Sequence, residues 1–165
     1  MKKRCEATGR FEVWPMLLVT HSHLIDKIED KLESVGGLSA SSYDVLAQLA
    51  LAPGKLLKMA DLAESVLLSK SGVTRLVDRM AAEGYIERTA CPTDRRIVYA
   101  QLTKSGEQLF RKARPVVKAT VEKHFTDFLS DTEAMTMKRA LGRVLDAAEG
   151  YAQTGGGTSV RAAGR

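Results

Sequence analysis

The stretch Lys58–Gly84, KMADLAESVLLSKSGVTRLVDRMAAEG, decides the fold. Its first part places Met59, Leu62, Ala63 and Val66 at the i, i+3, i+4, i+7 spacing of a short amphipathic helix. Leu67-Leu68 makes a brief turn, and Ser69 offers an N-cap hydroxyl for a second helix running from Lys70 to about Glu83. Gly84 is the residue type that ends such a helix in a left-handed conformation. Helix, tight turn, helix is the signature of a helix-turn-helix. On a 3.6-residue wheel Val73, Leu76, Val77 and Met80 share the inward face. Ser71, Thr74, Arg75 and Asp78 project from the other face. A helix that enters a major groove needs short donors and acceptors near base edges and a long cation for guanine or phosphate. Gly72 leaves the first turn bare, which would let backbone amides approach a phosphate.

The next segment changes texture. Tyr85–Arg88 and Ile97–Leu102 are rich in β-branched and aromatic residues and partly alternate, and Cys91-Pro92-Thr93-Asp94-Arg95-Arg96 lies between them with turn residues at its centre. This is a β-hairpin with a charged tip. Directly after a helix-turn-helix, such a ribbon is a wing, and a tip arginine suits the concentrated negative potential of a narrow minor groove. Asp94 is a poor DNA contact, so its expected task is to pair with a nearby arginine and hold the wing's shape.

Outward from this unit the chain is helical. Trp14, Leu17, Leu18, His21, Ile25, Ile28 and Leu32 mark a first helix from Phe11 that should stop at Gly36-Gly37. Ser39–Ser42 supply caps for a second, with Tyr43, Leu46, Leu49 and Ala50 on one face, ended by Pro53-Gly54. Thr103 caps a long fifth helix that runs through Phe128 and should kink at Pro115. Ser130–Glu133 open a sixth, with Met137, Leu141, Val144 and Leu145 on one side. The fold class is therefore mainly α with a small β-hairpin wing. The expected organisation is a flexible basic arm over 1–10, a helical dimerisation region over 11–37 and 104–150, a winged helix-turn-helix over 38–103 and a disordered tail over 151–165.

Composition narrows the function. The 165 residues carry 25 Lys and Arg against 20 Asp and Glu, a net charge of +5, with 44% hydrophobic residues. That balance belongs to a globular chain, and no apolar run is long enough to cross a bilayer. Cys5 and Cys91 are too few for a disulfide-stapled domain or a four-cysteine metal site. No signal peptide follows Met1–Arg4, so a cytoplasmic, nucleoid-associated protein is expected. No nucleophile–base pair, phosphate loop or carboxylate–metal cluster stands out, so an enzyme is not expected. Gly155–Gly157 follow no strand and form no dinucleotide loop. The net charge is too low and too mixed for a sequence-indifferent architectural DNA protein.

Over about residues 11–150 the sequence closely resembles the MarR family of bacterial transcription regulators. The likeness is carried by Met59–Ala63, Leu68–Met80, Gly84–Arg88, Pro92–Arg96 and Leu102–Gly106, with the Asp-Arg-Arg wing and the Leu-Thr-x-x-Gly helix start at the family's spacing. The resemblance implies a homodimer whose terminal helices interlock, and double-stranded DNA with a pseudopalindromic operator as partner. It assigns Ser71, Thr74 and Arg75 to the major groove, Arg96 to the minor groove and Asp94 to bracing the wing; Lys70 and Arg95 join the expected DNA-facing cations.

The same resemblance raises a small-molecule effector. Relatives responsive to urate and phenols use an aspartate on the second helix, an arginine on the recognition helix and an arginine before the wing. Asp44, Arg75 and Arg88 stand there, and Trp14 is a further candidate although it falls in the first dimerisation helix. The expected function is thus a repressor released by an anionic or phenolic ligand, such as a phenolic acid or a urate-like anion, with no cofactor. The alternative is a redox sensor of the same fold acting through Cys5, whose reactivity would need a lowered thiol pKa. The equally bland role for Asp44 and Arg88 is to brace the fold. His21 and His23 point apart on one helix and His124 is distant in sequence, so no metal site is expected.

Overall fold

The computed structural model describes residues 9–66, 69–91, 93, 94 and 96–152, the side chains of Lys70 and of residues 148–152 excepted. The order is α1 (Gly9–Leu32), α2 (Ala40–Leu51), β1 (Leu56–Lys58), α3 (Met59–Ser65), α4 (Lys70–Ala82), β2 (Ile86–Ala90), β3 (Val98–Leu102), α5 (Lys104–His124) and α6 (Asp131–Ala152), with 3-10 turns at Pro53–Lys55 and Thr126–Phe128.

The helix starts follow the capping hydroxyls. Ser39 Oγ accepts from the Ser42 amide, Ser69 Oγ from Gly72 and Thr103 Oγ1 from Gly106, each satisfying one of the amides a helix start leaves unpaired. Ser130 and Glu133 form a reciprocal capping box at α6. Gly84, at φ +78°, ends α4 as expected. Other boundaries moved. α1 starts at Gly9, so Gly9 and Arg10 are helical rather than part of a loose arm. It ends at Leu32, and one further turn, closed by Gly37 N donating to Glu33 O at 3.0 Å, carries the chain to Gly36 and Gly37 in left-handed conformations. α5 passes through Pro115 as one helix and stops at His124, with residues up to Phe128 forming a separate 3-10 turn. α6 continues to Ala152; the rest of the expected tail, and the arm over 1–8, lie outside the described residues.

The expected hairpin forms, β2 against β3, and gains a third strand. The sheet has three antiparallel strands in the order β1-β3-β2. Leu56–Lys58 add to the edge of β3, pairing Leu57 with Ala100, while Ile86 pairs with Leu102 and Ala90 with Val98 on the other side. Gly54 and Lys55 turn the chain into β1 at φ +65° and +57°, the second costing a non-glycine residue about 1 kcal/mol. Lys55 is held there by its Nζ on Glu107 Oε2 at 2.5 Å, a contact that also holds the Glu107 carboxyl below its ordinary range.

One core joins these elements. Leu46 and Leu49 of α2, Leu62 of α3, Val73, Val77 and Met80 of α4, Ile86 of β2 and Phe110 and Ala113 of α5 are all buried. Each large side chain there contributes on the order of 2 kcal/mol of burial. By contrast Phe11, Trp14, Met16 and Val19 of α1, and Met135 and Val144 of α6, are more than half exposed. The terminal helices thus carry an apolar surface that this chain does not cover.

Candidate nucleic-acid interface

The wheel reading of α4 matches its burial. Val73, Leu76, Val77 and Met80 are buried, while Ser71, Thr74, Arg75 and Asp78 are exposed along the opposite side. The core therefore fixes the helix's rotation, and with it the direction of the polar set. The Lys70 side chain lies outside the described residues. Gly72 differs from expectation: its amide donates to the Ser69 cap at 3.1 Å, so the cap uses that donor.

Four polar contacts seat α4 and the turn that follows it. Arg79 Nη2 donates to the buried Ser42 Oγ of α2 at 3.3 Å. Arg88 of β2 forms an ion pair with Asp78. At the far end Thr103 Oγ1 donates to Gly84 O at 2.7 Å, while the Thr103 amide donates to Tyr85 O at 3.1 Å. Gly106 then passes so close that a Cβ there would stand 2.2 Å from Tyr85 O. These contacts give the Leu102-Thr103-x-x-Gly106 motif a physical reading: a buried anchor, a hydroxyl that caps α5 and grips the end of α4, and a residue without a side chain where backbones meet.

At the wing tip, Asp94 Oδ1 accepts from the Arg96 amide at 2.9 Å, and Asp94 O accepts from the Ile97 amide at 3.0 Å. Asp94 shapes the turn through backbone amides, and among the described residues it forms no ion pair with an arginine. A two-residue reach favours this local amide as the partner of the carboxylate. Arg96 is exposed beyond this turn, and Arg95 lies outside the described residues. Cys91 Sγ sits 3.2 Å from Thr93 Oγ1, and hydrogen bonds from the Thr93 side chain, its amide and the Asp94 amide lower the thiol's pKa. Cys5, the residue of the redox alternative, lies outside the described residues.

A cavity of about 370 Å³ opens behind the reading head, between α1, α2 and α5. Ile25, Ile28, Val66 and Val117 supply its apolar wall, and His21, Glu29, Ser41, Tyr43 and Asp44 its polar groups. Of the four candidate effector residues, one lines this cavity. Asp44 lines the cavity and accepts from Gln48 at 3.3 Å, but Arg75, Arg88 and Trp14 are absent from the lining. Arg88 is engaged with Asp78, and Trp14 is 55% exposed near the start of α1.

Comparison with known proteins agrees with this arrangement. The sequence profile of the MarR family matches residues 36–97, the span from the start of α2 to the wing. The HTH-type transcriptional regulator PecS of Dickeya dadantii is 32% identical over 147 residues, covering 81% of this chain and 82% of PecS. The chain belongs to the MarR family. Its fold superposes on AbsC, a MarR family transcriptional regulator from Streptomyces coelicolor, with a TM-score of 0.80 at 28% identity, covering 90% of this chain and 99% of AbsC. It also superposes on Sco3205 from the same organism, solved in complex with DNA, with a TM-score of 0.79 at 24% identity, covering 88% and 91%.

Two features of this MarR protein escaped sequence reading. The Ser42–Arg79 tie links residues 37 positions apart, and neither has a local signal for the other. His23 and His124 meet edge to face across α1 and α5, with ring centroids 6.2 Å apart. Among the described residues no three His, Cys, Asp or Glu side chains gather as metal ligands. Nor is any described helix long and apolar enough to cross a membrane.

Proposed function

We propose that the chain acts as a homodimeric, sequence-specific repressor that binds a pseudopalindromic operator and leaves it when a small molecule fills the α1–α2–α5 cavity. The observation that carries the DNA reading is the exposed set Ser71, Thr74 and Arg75 on a helix whose opposite face is locked in the core. Arg96 adds an exposed cation at the wing tip, suited to a minor groove. Lys70 and Arg95 belong to the same proposed surface. The DNA complex of Sco3205 supports this use of the fold. The uncovered apolar faces of α1 and α6 support a second copy as the dimer partner.

Two half-sites about one helical turn apart are expected, bound in the nanomolar range. Fluorescence anisotropy against the chain's own upstream DNA tests the reading. Arg75→Ala and Arg96→Ala should each cost roughly 1–3 kcal/mol of operator affinity with unchanged thermal stability. Equal affinity for scrambled duplexes at physiological salt would overturn it.

A further inference from the structure

We infer that the cavity between α1, α2 and α5 selects a cationic, planar aromatic ligand instead of an anion. This rests on the ligand-responsive reading above and concerns the charge of what enters. The volume of about 370 Å³ suits a molecule of one or two rings, and Ile25, Ile28, Val66 and Val117 supply the apolar contact that such rings need.

The polar lining is one-sided. Glu29 from α1 and Asp44 from α2 bring two carboxylates, and no lysine or arginine among the described residues lines the space. An anion placed there would meet two like charges, which repel it. A cation would be attracted by both. Tyr43 adds an aromatic side chain to the lining, its ring stacked on Phe110 with centroids 5.7 Å apart, and tyrosine faces favour cations electrostatically. Ser41 and His21 complete the polar set with groups able to accept from a ligand's N–H. Arg114 of α5 is the opposing charge: it acts on the Tyr43 phenol, against Asp44, from outside the lining. Asp44 keeps its Gln48 contact in this arrangement, so Glu29, which is exposed and has no ion pair among the described residues, is the carboxylate whose role is cleanest to isolate.

Calorimetric titration of the full-length protein with N-methylquinolinium, its neutral parent quinoline and salicylate tests the inference. The cation should bind roughly tenfold more tightly than quinoline, and salicylate most weakly. Glu29→Gln should shrink the cation's advantage to about threefold or less at unchanged melting temperature, since the side chain is exposed. Asp44→Asn should shrink it as well. Salicylate binding as tightly as the cation, or an advantage untouched by Glu29→Gln, would overturn the charge assignment. Release of operator by salicylate in that case would leave the ligand-responsive reading standing. No heat from any of the probes would overturn the cavity as an effector site and this inference with it.

Discussion

Arg88 of β2 holds Asp78 on the exposed face of α4, so the wing and the recognition helix are joined by charge as well as by core packing. The two side chains are 35% and 52% exposed, which limits the pair's contribution to stability. A double-mutant cycle with Asp78→Ala and Arg88→Ala should give a coupling energy of about 0.5–1 kcal/mol in urea denaturation. The same cycle in operator binding should show a coupling at least as large, because the pair joins the two parts proposed to face DNA. Strict additivity in both measurements would mean that the core alone orients the wing.

Gly106→Ala should destabilise the chain by roughly 1–3 kcal/mol, the range for forced overpacking. The added Cβ would fall 2.2 Å from Tyr85 O and 2.8 Å from Leu102 Cδ1, and the first of these is backbone that cannot rotate away. The denaturation midpoint checks this. A neutral result would show that α5 can slide away from the end of α4.

Asp94 separates two kinds of bracing. If its role is to accept the Arg96 amide, Asp94→Asn keeps the acceptor and should retain operator affinity within about threefold, while Asp94→Ala should lose about 1 kcal/mol. Equal losses in both variants would return the role to charge.

His124 should make stability depend on acidity. Partial burial, then the charges of Lys123, Lys27, His23 and Lys31, hold its pKa below the ordinary 6.5. The unfolded chain therefore takes up this proton before the folded one does. Stability should be flat above about pH 6.5 and fall as the pH drops from there toward the lower folded value. His124→Gln should remove that part of the slope in denaturation curves recorded between about pH 7.5 and 5.5. An unchanged slope would place the acid sensitivity elsewhere.

The exposed polar face of α4 was legible because it is local. One helix face, from Ser71 to Asp78, follows from periodicity once Val73, Leu76 and Val77 are assigned inward. Caps at Ser39, Ser69 and Thr103 are equally local signals. β1 was not legible, since Leu56-Leu57-Lys58 has no alternation and becomes a strand only through the free edge of β3. Convergence of the effector set is not a local property either. Asp44, Arg75 and Arg88 sit at family positions, but whether they converge depends on how α2, α4 and β2 pack, and Arg88 found Asp78 first. The contact between His23 and His124 needs α1 and α5 to cross at one level, which periodicity within either helix does not encode. The contact of Asp94 with the Arg96 amide was not legible, because a side chain and an amide of nearby residues look alike in a sequence.

The segment Ala40–Asp44 serves two tasks at once. It walls the cavity, and from its buried Ser42 it holds Arg79 of the recognition helix. A change of residue there alters what enters the cavity and how α4 sits, so the two properties cannot drift independently. His21, Ile25 and Glu29 on α1 and Val117 on α5 also wall the cavity, away from the Ser42–Arg79 contact. Descendants of this protein that acquire a new inducer while keeping an old operator are therefore expected to differ first at those α1 and α5 positions, with the α2 wall around Ser42 the slowest to change.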